Sequence, residues 1–239
     1  MTTNRDLDQI ASEYDSLSDF DHHAIAHEAD LFLADYVDGA VLELGCARGG
    51  MTRKLAPIVD RLVVVDGSET YLTELRRDLG QQAEFVSSRF EDYDPASTFR
   101  HVLAARILEH LQEPVAFLKR LRGWLEPHGM LHVIVPNARS FHRLLGLEMG
   151  LIKDLHELGE RDRRVGHVRV YDSDMLMRDL ESAGFRVTWR RDVMLKPLSN
   201  AQMETWEPAI IDALFRMARH FPDHGNELYF RCEAARVRP

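Results

Sequence analysis

Residues 40–50 read Ala-Val-Leu-Glu-Leu-Gly-Cys-Ala-Arg-Gly-Gly, and this stretch decides the fold. Val41 to Leu44 is a short apolar run with one acid, Glu43, inside it. Gly45 to Gly50 then breaks the run, and Met51 to Ile58 follows with helical spacing. A buried strand that runs through a glycine turn into a helix is the nucleotide-binding corner of a doubly wound α/β sheet. Glycine lets the backbone turn tightly and lets a ligand approach the main chain. The first helical turn then presents N–H groups that have no partner inside the helix.

The pattern continues downstream. Arg61 to Asp66 carries three consecutive valines, which suits a strand buried on both faces of a parallel sheet. Ser68 can cap a helix over Glu69–Leu79. Ala83–Val86 and Phe99–Ala104 read as the third and fourth strands. Glu113–Leu125 is a helix with Phe117, Leu118, Leu121 and Leu125 on one face, and Glu126-Pro-His-Gly129 is a turn. Met130–Val135 is the fifth strand. Alternation of this kind calls for a parallel sheet with helices on both faces. Beyond it, residues 137–166 contain no strand, and Ser173–Ala183 is a helix stopped by Gly184. Phe185–Val193 and Glu227–Val237 are strands expected to pair antiparallel at one edge, with helical residues 197–221 between them. The fold expected is a Rossmann-like, doubly wound, seven-stranded and mostly parallel sheet.

Upstream of the corner, residues 5–37 read as a loosely amphipathic helical segment, broken near Ser16–Asp21. Asp38-Gly39 ends it. The 239 residues suffice for one sizeable core, so a single domain is expected. It would comprise a helical lid over 1–37, a ligand-binding core over 38–136, and insertions at 137–170 and 197–222. The net charge of −9 argues against a general affinity for nucleic acid. Two arginine runs, 161–169 and 186–191, read first as solvated faces. Cys46 and Cys232 stand far apart and outside any metal-type spacing, so neither a disulfide framework nor a metal site is expected. There is no apolar signal core and no stretch of transmembrane length, so a cytoplasmic protein without membrane contact is expected.

Two ligand readings compete for the corner. A dinucleotide site wants G-x-G-x-x-G, but here Gly45 is followed by Gly49 and Gly50, with Ala47 in the middle position. Glu43, inside the strand, is costly to bury without a hydrogen bond. With these departures the chain resembles the class I S-adenosylmethionine-dependent methyltransferases. The resemblance rests on Val41–Gly49, Val63–Ser68, Ser87–Asp92, Ala104–Pro114 and Leu125–Leu131, in that family's order and spacing, and it covers roughly residues 35–193. The small-molecule branch is the nearest, including ubiquinone-type O-methyltransferases and natural-product tailoring enzymes.

The resemblance implies S-adenosylmethionine as cofactor. It places Gly45, Cys46 and Gly49 around the methionine part, with Glu43 supporting the loop and the amino group. Asp66 would accept the ribose hydroxyls, and Gly67 and Ser68 would border the adenosine. Arg89 and Phe90 would flank the adenine. Ser88 stands where many relatives have an acid. Ala105 and Arg106 would line the floor below the methionine group, and Tyr14 resembles a tyrosine that closes over the cofactor. Bland alternatives stand beside these: a helix cap for Asp66, core packing for Phe90 and Tyr14, solvent for Arg89.

Methyl transfer from a sulfonium is a direct displacement, so the protein mainly aligns the reacting groups. A base is needed only where the acceptor must lose a proton. His167, in Gly166-His-Val-Arg-Val-Tyr171, and His110, in the Glu-His-Leu segment after the fourth strand, are the candidates for catalysis. The acceptor would be a small molecule, enclosed by residues 1–30, 137–170 and 197–222, and the protein a monomer or homodimer. Three other readings remain open: a methyltransferase of tRNA or protein, a catalytically silent cofactor-binding subunit, and a dehydrogenase.

Overall fold

The computed structural model describes residues 20–235. Seven strands form one sheet: β1 (Ala40–Leu44), β2 (Arg61–Asp66), β3 (Glu84–Ser87), β4 (Phe99–Ala105), β5 (Leu125–Pro136), β6 (Phe185–Val193) and β7 (Glu227–Ala234). Their order is β3-β2-β1-β4-β5-β7-β6. β1 pairs in parallel with both β2 and β4, and β2 with β3. β6 and β7 pair antiparallel from Phe185–Ala234 to Val193–Glu227, as their sequence pattern predicts. Seven strands, mostly parallel with an antiparallel pair at one edge, are therefore what the chain forms.

The described residues divide into two compact units. One runs up to Ala105 and includes Gly123–Leu131; the other comprises Arg106–Arg122 and the residues from His132 onward. In the first, α1 (Asp21–Ala34), α2 (Thr52–Leu55) and α3 (Glu69–Leu79) accompany the strands. Its core is built from Val41, Leu42, Leu44, Leu55, Val64, Val65, Leu72 and Leu75, all buried. The unbroken burial of Leu62–Asp66 explains the valine run: a central parallel strand has no solvent face. Ser68 caps α3 by accepting from the Tyr71 N–H.

In the second unit, Val133, Ile134 and Val135 of β5 are buried, as are Leu118, Leu121, Leu176, Leu180 and Phe230. Its helices are α4 (Pro114–Trp124), α5 (Phe141–Glu148), α6 (Glu160–Arg164), α7 (Ser173–Ser182), α8 (Asn200–Met203) and α9 (Pro208–Met217). Gly184, at φ 81°, ends the α7 segment in the left-handed conformation that only glycine adopts cheaply.

Two expectations need correction. The helix after the corner is a single turn, Thr52–Leu55, and not Met51–Ile58. Pro57 has no N–H to give the preceding turn, so the helix stops there. Residues 126–129 are not a free turn but part of β5, which already begins at Leu125. The turn chemistry survives as a local irregularity, with His128 at φ 65°. Among the described residues no helix is long and apolar enough to cross a membrane.

Candidate active site

The glycine corner is tied to the end of β2 by one carboxylate. Asp66 Oδ2 accepts from the Cys46 N–H at 2.9 Å and from the Ala47 N–H at 3.4 Å, with Cys46 Sγ also at 3.4 Å. Oδ1 accepts from the Ser68 N–H at 2.8 Å. Burial raises the Asp66 pKa, and these hydrogen bonds oppose the rise. The loop they hold is left-handed at Gly45 (φ 75°), Ala47 (φ 45°) and Gly49 (φ 76°). Gly49 has a second reason to be glycine: a Cβ there would stand 2.2 Å from Leu75 Cδ2. Arg48 grips Glu74 of α3 through two bonds of 2.7 and 2.9 Å, which fixes the outer side of the loop.

Glu43 lies under this loop, buried, with Oε2 lacking a hydrogen-bond partner. Burial foremost pushes its pKa up to about 8; the Thr52 hydroxyl works against the rise and the Asp66 charge adds to it. Cys46 is buried too, and burial beside Asp66 and Glu43 drives its thiol far from ionisation. A thiol so placed is a small packing group, not a nucleophile. Gly67 is buried directly after Asp66, and Ser68 caps the next helix. Ser88 continues the frame by giving its N–H to the Asp66 carbonyl at 3.0 Å. Its hydroxyl donates to the Arg89 carbonyl, so the oxygen lone pairs stay available as acceptors. Arg89 lies 3.6 Å from Glu91, and Phe90 is half-buried. Ala105 ends β4, half-buried. Tyr14 lies outside the described residues.

A separate constellation forms within the second unit. Arg106 (φ 56°) gives its N–H to the Ile134 carbonyl, and its guanidinium binds the buried carboxylate of Glu227. Glu109 and His110 occupy a short 3₁₀ turn, Leu108–His110. That turn is stitched to the 166–169 segment: Val168 N–H donates to the Glu109 carbonyl at 2.9 Å, and Arg169 to the Gln112 carbonyl at 3.0 Å. The stitching brings His110 and His167 edge to face, ring centres 4.8 Å apart. His167 Nδ1 lies 3.1 Å from Asp162 Oδ1, and its Nε2 lies 4.0 Å from Glu109 Oε1. Asp162 is anchored in turn by the Gly159 N–H at 2.8 Å and Arg143 at 3.5 Å. Burial pushes the Asp162 pKa up, but His167, the Gly159 N–H and Arg143 outweigh it and hold the carboxyl below its ordinary value.

Glu109 is fully buried, and neither carboxylate oxygen has a hydrogen-bond partner. Burial pushes its pKa up to about 7, against the pull of His167, its own N–H and Arg106 and with a push from Glu227. His110 moves the other way: burial, then His167, lower it to about 4, so it stands neutral at pH 7, with a hydrogen bond to the Gly166 backbone opposing the shift. Perturbed groups of opposite kind, gathered in one place, make this cluster a candidate site.

A family model described as a methyltransferase domain matches residues 19–189. The chain belongs to the methyltransferase-domain family. This methyltransferase-domain chain is 30% identical over 100 residues to a ubiquinone biosynthesis O-methyltransferase of Bradyrhizobium diazoefficiens, a match covering 41% of this chain and 40% of that protein. It thus spans about two fifths of the length of that curated relative. Among solved structures it resembles the DhpI complex with S-adenosylhomocysteine, at TM-score 0.62 and 20% identity, covering 99% of this chain and 97% of that one. It also resembles the N-methyltransferase NodS of Bradyrhizobium japonicum WM9, in complex with S-adenosyl-L-homocysteine, at TM-score 0.57 and 15% identity over 90% and 87% of the two chains.

Sequence reasoning had not singled out three residues of these constellations. Thr52 works against the effect of burial on Glu43, but a lone threonine in a helix start carries no signal. Glu109 was visible as an acid among Ile107, Leu108 and Leu111, a setting that marks a buried carboxylate. Asp162 was hidden in the arginine run 161–164. In the segments expected to enclose the acceptor, Met203 and Phe215 are core, and Phe141 is exposed.

Proposed function

We propose that this chain binds S-adenosylmethionine at the glycine corner and transfers its methyl group to an oxygen or nitrogen of a small molecule. The observation that carries the donor half is the Asp66 carboxylate, held by the Cys46 and Ala47 N–H groups of the corner and by the Ser68 N–H. A carboxylate offers about four acceptor positions, and Oδ1 takes the Ser68 N–H in one of them. It is placed to take ribose hydroxyls, with Gly45, Cys46 and Gly49 around the methionine part and Glu43 beneath them. Gly67 and Ser68 border the adenosine. Ser88, Arg89 and Phe90 take the adenine, and Ala105, at the end of β4, the floor beneath the methionine. The solved relatives bound to S-adenosylhomocysteine support this reading.

His167 and His110 serve the acceptor. With Nδ1 held by Asp162, the His167 ring presents Nε2 to a bound molecule. The reaction balances simply: the acceptor lone pair forms the new bond to carbon, the carbon–sulfur bond breaks, and a neutral thioether leaves. The acceptor sheds its proton, with His167 positioned to assist. A small acceptor fits better than RNA on the net charge of −9, and three arginines of the two runs are engaged within the protein: Arg169 with Gln112, Arg186 with Glu233, Arg190 with Ser173 and Asp223. The test is incubation with S-adenosylmethionine and a panel of phenols, amines and N-heterocycles, read by mass spectrometry. A gain of one methyl on a panel member is expected; methylation of tRNA or protein alone would contradict the small-molecule reading.

A further inference from the structure

We propose that Glu109, His110 and His167 hold a divalent first-row transition-metal ion. One potential ligand atom from each lies within 4.8 Å of the others. That closeness alone is common among polar groups; three further observations give it meaning.

The first is Glu109 itself. It is completely buried, and both of its oxygens lack a hydrogen-bond partner. Burying a carboxylate without a partner is expensive, and buried charges are paired or coordinate metals. The guanidinium of Arg106, in the same segment, is bound to Glu227. The second is the orientation of His167. Its Nδ1 is fixed on Asp162 at 3.1 Å, which leaves Nε2 facing Glu109. A histidine whose far nitrogen is held by a carboxylate is the usual arrangement of a metal-ligating imidazole. Asp162 is fixed in its turn by the Gly159 N–H and Arg143. The third is the stitching of two distant segments at this point by Val168 N–H to the Glu109 carbonyl. It makes the trio part of the backbone frame.

Two imidazoles and one carboxylate select zinc-like ions over magnesium or calcium, which take mostly oxygen ligands. Zinc–ligand bonds near 2.1 Å at a tetrahedral angle need ligand atoms about 3.4 Å apart. Side-chain rotation has to close the 4.0 Å between His167 Nε2 and Glu109 Oε1, and the separations to His110 that fall within 4.8 Å, to that value. Three protein ligands leave a fourth position open, as in catalytic zinc sites. This deepens the methyl-transfer reading in its chemical consequence alone: with the ion bound, His167 Nε2 would act as a ligand and not as a base, and the ion would orient the acceptor and ease loss of its proton to solvent. The ion site itself does not depend on that reading.

The test is metal binding by the tag-free full chain, with Co²⁺ as probe and Zn²⁺ as competitor. One equivalent of Co²⁺ should bind, with visible bands that Zn²⁺ abolishes. Asp162→Asn should weaken binding about 10- to 100-fold, the effect of losing the group that orients a metal-bound histidine. Glu109→Gln and His167→Gln should weaken it further, while His156→Ala, outside the trio, should leave it unchanged. Circular dichroism on each variant confirms folding, and the two ligand variants serve as each other's check. No Co²⁺ bound at millimolar concentration, or full affinity in a folded Glu109→Gln or His167→Gln, would overturn the proposal. Metal binding without any methyl transfer would leave the site standing and remove the methyl-transfer reading; the opposite pair of results would do the reverse.

Discussion

The glycine corner and the Glu109–His110–His167 cluster each place buried acids beside a putting-together of backbone turns, yet they treat those acids differently. At the corner, Asp66 is surrounded by N–H donors supplied within a few residues of two strand ends. In the cluster, Glu109 is buried and neither oxygen has a hydrogen-bond partner. At the corner the backbone answers Asp66 and leaves one oxygen of Glu43 beneath it without a hydrogen-bond partner; in the cluster both oxygens of Glu109 lack one, with His167 Nε2 4.0 Å away. A frame of the first kind suits a cofactor that returns every cycle. A cluster of the second kind suits a cation or an acceptor, and it is where chemical perturbation should hurt most.

The contrast can be broken from either side. The largest effect is expected at the cluster: His167→Ala should lower turnover about 10²- to 10⁴-fold, the usual contribution of a group that handles the acceptor's proton. Cofactor affinity, measured by calorimetry, should hardly move; lost affinity with preserved turnover would assign His167 to the cofactor side. Next comes the corner's backbone. Gly49→Ala places a Cβ at φ 76° against Leu75 and Arg53. Strain and overpacking together should cost about 3 kcal/mol, read as a lower denaturation midpoint. An unchanged midpoint would show that the loop is not held as described.

A smaller effect separates the acids by pH. Folded Glu43 keeps its proton to about pH 8, whereas its ordinary pKa is 4.5. Between those values the unfolded chain binds fewer protons than the folded one, so stability is full below pH 4.5 and falls as pH rises towards 8. The slope is at most about 1.4 kcal/mol per pH unit for each such group. Glu109, raised to about 7, adds a fall of the same sign that is complete sooner. Glu43→Gln should remove its share of the slope throughout pH 4.5–8, leaving the profile nearly flat above about pH 7, where Glu109 has already released its proton. Denaturant titrations at pH 5.5, 6.5 and 7.5 check this; an identical profile in the variant would place the Glu43 proton elsewhere.

The same contrast explains what the sequence made legible. The corner is local: strand, glycines, helix and the Asp66 that closes it lie within thirty or so residues, and each leaves a mark in residue type. β2, α3, β6 and the antiparallel edge were readable for the same reason, from valine runs, a serine cap and alternation. The cluster is not local. Asp162 and His167 reach Glu109 through a backbone bond from Val168 that no spacing rule announces. His167 and His110 could be suspected one at a time, but their juxtaposition, and the isolation of Glu109 between them, exist only once the chain is folded. The shortened α2 and the early start of β5 were missed through single backbone features, Pro57 and the left-handed His128.

The central claim is that the corner around Gly45, Gly49 and Asp66 holds the methyl donor. Calorimetric titration of the full chain with S-adenosylmethionine and S-adenosylhomocysteine tests it most directly, with Asp66→Ala alongside. Both ligands should bind one per chain, and Asp66→Ala should weaken them about 10- to 100-fold, as expected for lost hydrogen bonds to a charged group. Binding of neither ligand at millimolar concentration, or undiminished affinity in a folded Asp66→Ala variant, would contradict it.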